Sequence, residues 1–131
     1  MNATLGFESE KTVEFKGRRF TFGFPTIRQE VKIESKKSEF TEGNYLEIFK
    51  NQTNIAFDTI ERVNAFATVE VLIPGIAEGL EVGSLMDLNR SVGKDIVELY
   101  MNEIVPFLDA IENSIDESIG QEEEEGNDGK K

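Results

Sequence analysis

The sequence predicts a mainly α (α+β) protein: an N-terminal β-hairpin, a bundle of about four helices, and a disordered acidic C-terminal tail. Three observations carry this. Apolar residues alternate with polar or small ones between Thr12 and Phe24. Two amphipathic segments, Thr53–Ile73 and Ser84–Ile119, are joined by Pro74-Gly75. The last stretch, GQEEEEGNDGKK, contains nothing that could be buried.

Residues 1–11 carry little pattern and are read as a flexible N-terminus, residues 12–119 as one domain, and residues 120–131 as the tail. Thr12-Val13-Glu14-Phe15 and Phe20-Thr21-Phe22-Gly23-Phe24 flank Lys16-Gly17-Arg18-Arg19, and period-two alternation around a glycine-containing connection is the pattern of a hairpin. Val13, Phe15, Phe20, Phe22 and Phe24 would share its buried face. An isolated hairpin is marginal in water, so this one has to lie on a helix or pair with a partner's strand.

Pro25 ends the second strand. Thr26-Ile27-Arg28-Gln29 has the spacing of a capping box, in which two side chains satisfy the free N–H groups of a first helical turn. A short helix over residues 26–37 follows, although Val31-Lys32-Ile33 also fits a third strand. Lys36 to Glu42 is polar and Gly43 marks a turn. Tyr45-Leu46-Glu47-Ile48-Phe49 reads as a second short helix.

Thr53 or Asn54 can cap the third helix. Within it Ala56, Ile60, Val63, Ala67 and Val71 recur at spacings of four, three, four and four, one face of a helix, with Asp58, Glu61 and Arg62 off that face. From Val69 to Ile73 the segment is apolar nearly all round, which predicts a central, deeply buried helix. Pro74-Gly75 stops it, and Ile76 to Gly83 reads as a loop. Ser84-Leu85-Met86-Asp87 offers another capping box. Gly93 inside a helix costs about 1 kcal/mol relative to Ala, which favours a start nearer Ser91. From there Val92, Ile96, Leu99, Tyr100, Ile104, Phe107, Leu108, Ile111, Ile115 and Ile119 form one stripe. Pro106 interrupts it: its missing N–H frees the carbonyl of Asn102 and its ring should kink the helix.

Composition narrows the function classes. A formal net charge of −12 opposes non-specific binding to nucleic acid, and the basic clusters Lys16, Arg18, Arg19 and Lys36-Lys37 are small. No cysteine is present, hence no disulfide, thiolate metal site or thiol nucleophile. No histidine is present either, which removes the usual general base and the commonest transition-metal ligand. Neither a phosphate-cradling Gly-x-x-x-x-Gly-Lys-Ser/Thr loop nor a dinucleotide-binding fingerprint occurs. Glu98 and Glu103, or Glu112 and Asp116, fall on exposed helical faces, whereas paired-carboxylate hydrolysis needs a cleft to set two different pKa values, and nothing in the sequence suggests one. The expectation is a non-enzyme with no catalytic residue, cofactor or metal. The N-terminus lacks the basic start and apolar run of a signal peptide. No stretch approaches the ~20 apolar residues of a membrane span. The expected place is the cytoplasm, without membrane contact.

Three stretches also carry a resemblance: Phe15-Lys-Gly-Arg-Arg-Phe-Thr-Phe-Gly-Phe-Pro25, Asp58-Thr-Ile-Glu-Arg-Val-Asn-Ala-Phe-Ala-Thr-Val-Glu-Val-Leu-Ile73, and Asp95-Ile-Val-Glu-Leu-Tyr-Met-Asn-Glu-Ile-Val-Pro-Phe-Leu108. In order and spacing they resemble the small tail assembly chaperones of long-tailed (siphophage-type) bacteriophages, over roughly residues 12–119. The shared features are hydrophobic patterns rather than signature residues, and Pro106 inside the last helix departs from them. The resemblance implies a protein of the bacterial host cytoplasm that coats the tape measure protein, keeps it soluble until tail-tube subunits polymerise around it, and is absent from the mature virion. It also implies self-association, and a longer, frameshifted form that recruits the tail tube protein. The terminal Gly129-Lys130-Lys131 fits an adenine run on which ribosomes slip, and equally an ordinary charged terminus. Candidate partner-binding residues are Phe20, Phe22, Phe24, Ile104, Phe107, Leu108 and Ile111, all of which also fit a core role. Competing expectations are a structural virion subunit (a head–tail connector or tail completion protein) and an acidic adaptor that mimics nucleic acid.

Overall fold

The computed structural model describes residues 10–115; the expected acidic tail and most of the expected flexible N-terminus lie outside them. The chain opens with a two-stranded antiparallel hairpin, β1 (Glu10–Phe15) and β2 (Arg18–Gly23). Its register pairs Val13 with Phe20 and Phe15 with Arg18. The two-residue turn between them places Lys16 at φ 53° and Gly17 at φ 80°. Positive φ at both positions is the turn whose twist matches that of the strands. Val13, Phe15 and Phe22 are buried on one face. The outer face carries Thr12 and Thr21, whose hydroxyls hydrogen-bond at 2.9 Å.

Helix α1 (Ile27–Phe40) begins with the capping box: Gln29 N–H donates to Thr26 Oγ1 (3.1 Å) and Thr26 N–H donates to Gln29 Oε1 (2.9 Å). The third-strand alternative is therefore excluded, and the helix runs three residues beyond the expected end. Its polar second half stays helical because one face has partners. Ile33 is buried and Phe40 packs on the core. Lys36 lies 5.9 Å over the Phe40 ring and pairs with Glu70 at 3.1 Å. Glu42 and Gly43, both at positive φ, end the helix.

Helix α2 (Tyr45–Lys50) packs on α3 (Asn54–Leu72) and is held to it by Tyr45 Oη–H donating to Asn64 Oδ1 at 2.9 Å. Thr53 caps α3 by accepting from Ala56 N–H. Ala56, Ile60, Val63 and Ala67 of the expected face are buried while Val71 is half-buried, and the whole run Ala65 to Val69 and Leu72 are buried as well, as expected of a central helix.

Residues Pro74–Gly79 form a short helix, α4, rather than a loop. Pro74 sits in its first turn, where the missing N–H costs nothing and the fixed φ is already helical; the residue that stops one helix starts the next. Ile76 becomes one of the most deeply buried side chains. Gly75 lets the chain pass close to the Phe20 ring, which a Cβ would approach to 3.2 Å.

Ser84 does not open the long helix. It caps a single 3-10 turn, Leu85–Asp87, and α5 (Arg90–Leu99) starts afresh with Asn89 accepting from Val92 N–H at 3.0 Å. Gly93 keeps its place because α5 crosses directly over Phe66, whose Cζ would lie 3.1 Å from an added Cβ. Pro106 is absorbed by a π-helical turn, Tyr100–Ile104, in which Val105 N–H donates to Tyr100 O. Helix α6 (105–115) then follows. The wider turn adjusts the backbone ahead of a residue that could not have donated, and the helix stays continuous. Val13, Phe15 and Phe22 of the hairpin join Phe66, Val69, Ile76, Leu85, Ile96, Leu99 and Ile104 in one apolar cluster.

Candidate partner-binding surfaces

The seven residues singled out from sequence mostly face inward. Phe22, Ile104 and Ile111 are buried, at 4%, 0% and 3% exposure. Phe20, Phe107 and Leu108 are half-buried against the core cluster, and Phe24 is half-buried. The structure brings Phe22 and Phe107 together, with ring centroids 5.3 Å apart at 79°, the edge-to-face arrangement that aromatic quadrupoles favour. Phe20 lies beneath the Arg18 guanidinium at 5.5 Å. These side chains fasten the hairpin to the last helix. Lys16–Asp95 (2.7 Å) and Lys11–Glu103 (3.3 Å) brace the same seam from its rim, each exposed and worth a few tenths of a kcal/mol.

The open apolar surface lies elsewhere. On α1, Ile27 and Val31 are 80% and 64% exposed, one turn apart on the side away from Ile33. On the α2–α3 corner Leu46, Phe49, Ile55 and Phe57 are 54–79% exposed. Tyr45 and Phe49 stack there at 6.2 Å and 11°, so Phe49 is held outward by its neighbour. Burying a side chain of this size stabilises by about 1.5–3 kcal/mol relative to leaving it in water, and at this corner the fold forgoes that gain several times over. Sequence reasoning passed over these residues although one signal was legible. Ile55, Ala56 and Phe57 are consecutive, and three consecutive helical residues cannot share one face.

A groove of about 640 Å³ runs between α3 and α5. Asp58, Glu61 and Arg62 line one wall, and Arg90, Lys94 and Glu98 the other, with Val97 at the base. Much of this wall is carbon, since long charged side chains lay their methylene stems along a groove and keep their heads in water. A second cavity of about 230 Å³ shares Arg62 and Arg90 with the first and adds Phe66, Met86 and Leu88. No carboxylate lines this smaller cavity, so the groove has a mixed-charge end and a basic, apolar end.

Among the described residues the one clear pKa displacement is at Tyr100. Burial raises its hydroxyl above the ordinary 10.0, with a hydrogen bond to Thr68 and the Lys37 charge pulling the other way. Among the described residues no three carboxylates gather closely enough to hold a metal ion, and no helix is long and apolar enough to cross a membrane. A scan against protein-family models and searches of curated proteins and of solved structures each found no match.

Proposed function

We propose that this chain is a bacteriophage tail assembly chaperone that binds the tape measure protein and keeps it soluble during tail morphogenesis. The observation that supports it best is the α2–α3 corner, where Leu46, Phe49, Ile55 and Phe57 stand open to solvent on a chain of net charge −12. Exposed apolar side chains on α2 and the first turn of α3 can contact the apolar stripe of a helical client, while like charge keeps the loaded complexes apart. The resemblance in hydrophobic pattern supplies the client's identity. It also supplies a cytoplasmic site of action, self-association, and a longer frameshifted form that recruits the tail tube protein.

Placing the client at the α2–α3 corner moves it from the hairpin aromatics and the last helix, where burial leaves Phe22, Ile104 and Ile111 little to offer. The test is co-expression of the tape measure protein with the wild-type chain or with the double variant Phe49→Asp/Phe57→Asp. The expected result is that the client stays soluble with the wild type and precipitates with the variant, whose circular dichroism is unchanged. Equal solubility with both chains would overturn the placement. A client that stays soluble with no chaperone present would overturn the function.

A further inference from the structure

The hairpin has two outer edges, and they differ in charge and in surroundings. Its two-residue turn makes Phe15 and Arg18 a hydrogen-bonded pair, and the register makes Val13–Phe20 and Lys11–Phe22 such pairs as well. By the same alternation the N–H and C=O groups of Thr12 and Glu14 point away from β2, and those of Arg19 and Thr21 away from β1. The sheet has only these two strands, and among the described residues no backbone group of another element hydrogen-bonds to Thr12, Glu14, Arg19 or Thr21. Such a row of open donors and acceptors is a template for one more strand. The β2 edge carries Arg18 and Arg19 and no acid. The β1 edge carries Glu10 and Glu14, and a trench of about 380 Å³ runs beside it. Glu14 and Lys16 stand on the near side of the trench; Asp95, Glu98, Asn102 and Glu103, from α5 and the π turn, form its far side. Lys16–Asp95 and Lys11–Glu103 tie both ends of β1 to that far wall. Glu14 and Glu98 take part in none of the ion pairs among the described residues.

We propose that the outer edge of β1 receives an extended, lysine- or arginine-bearing segment of another polypeptide as a third strand. A segment about 20 Å long matches β1 from Glu10 to Phe15. Its residues opposite Glu10, Thr12 and Glu14 lie on the outer face, where a cation directly across from a carboxylate is stabilising. Its alternate residues turn towards α5 and meet Asp95, Glu98 and Glu103. The ion pairs that already reach Asp95 and Glu103 are exposed, so an incoming cation can share those carboxylates. Backbone hydrogen bonds supply the orientation and charge chooses the edge: a basic segment is drawn to β1 and repelled by Arg18-Arg19 at β2. A second copy of this chain is a poor occupant on two counts. Antiparallel pairing of two β1 strands about Thr12 sets Glu10 opposite Glu14, a like-charge pair. Pairing β2 of a second copy with β1 sets the two hairpins about 10 Å apart with their bodies on one face, well inside the ~30 Å breadth of each body. The surface is separate from the α2–α3 corner, and the inference does not rest on the chaperone reading.

The test uses the full chain, isotope-enriched, and an end-blocked heptapeptide that alternates lysine with threonine. Amide exchange is read by NMR with the peptide at about nine times its Kd, where about one chain in ten stays free. The expected result is exchange about tenfold slower at Thr12 and Glu14, with Arg19 and Thr21 unchanged. The same peptide methylated on its backbone nitrogens keeps its charge and loses its donors, and should bind more than about tenfold more weakly. The variant E14Q/E98Q, both positions exposed, should weaken binding about fivefold with its circular dichroism unchanged. Equal binding of the methylated peptide would reduce the contact to charge alone and overturn the third strand. Protection at Arg19 and Thr21 instead, or equal binding of a glutamate–threonine peptide, would overturn the choice of edge. Thr12 and Glu14 amides already protected in the free chain would mean that the edge is covered, and this too would overturn the proposal, as would no binding up to about 1 mM.

Discussion

Glu70 is the residue on which the junction between α3 and the 3-10 turn depends, and its replacement is a quantitative test of the fold. Its side chain is 6% exposed and pairs with Lys36 at 3.1 Å. Its Oε2 accepts from Ser84 Oγ–H and from Leu85 N–H, both at 2.5 Å. Leu85 is fully buried, so Glu70→Ala leaves that N–H without a partner and without water. Losing a charge-assisted hydrogen bond to a buried donor costs about 2 kcal/mol, and the second hydroxyl bond adds about 1. The half-exposed ion pair adds only a few tenths. The sum is about 3 kcal/mol, or about 12 °C in Tm for an ordered body of this length. Glu70→Gln retains an acceptor for Leu85 N–H and should lose about 1 kcal/mol. Thermal and urea unfolding followed by circular dichroism give both values. If Ala and Gln variants proved equally stable, or Ala cost under about 1 kcal/mol, the carboxylate would not be holding this junction and the reasoning would fail.

Three further outcomes follow from individual contacts. Because burial holds the Tyr100 hydroxyl pKa above 10.0, the native state keeps a proton that the unfolded chain releases. Its contribution is complete below pH 10 and is lost as pH rises from there through the raised value. Tyr100→Phe should flatten this alkaline limb in urea titrations run at successive pH values, and an unchanged limb would contradict the burial. Gly93→Val should destabilise by about 2 kcal/mol, through overpacking against Phe66, and so should lower the urea midpoint; a neutral result would mean that α5 can move off α3. Thr26→Ala removes half of the capping box and should cost about 1 kcal/mol, with faster amide exchange confined to the first turn of α1.

Hydrophobic periodicity made the hairpin, α3 and the stripe into the last helix legible, because each element buries one face and the pattern reports that face directly. Polarity misled at the end of α1: Lys36 and Lys37 look solvated in sequence, yet they lie over the rings of Phe40 and Tyr45, and Lys36 pairs with Glu70 of α3, a contact that no local window contains. Proline misled at Pro74 because a helix stop and a helix start use the same residue. At Pro106 the sequence identified the disturbance but not its remedy, since a π turn depends on the packing of Tyr100 and Ile104 rather than on any local signal. The open apolar surface was the least legible feature. Phe22, Phe107 and Ile111 have the composition of an interface and the location of a core, and only their burial separates the two. Leu46, Phe49, Ile55 and Phe57 occupy short or terminal helical turns, where periodicity is too brief to show which side faces water.

The central claim is that the chain holds the tape measure protein and then leaves. Quantitative mass spectrometry of an infected-cell lysate and of purified particles, after capture of the tape measure protein from each, tests it most directly. The account predicts that the chain accompanies the tape measure protein in the lysate and is absent from the particles. Retention in particles at a fixed copy number would contradict it and would make the chain a structural subunit of the virion.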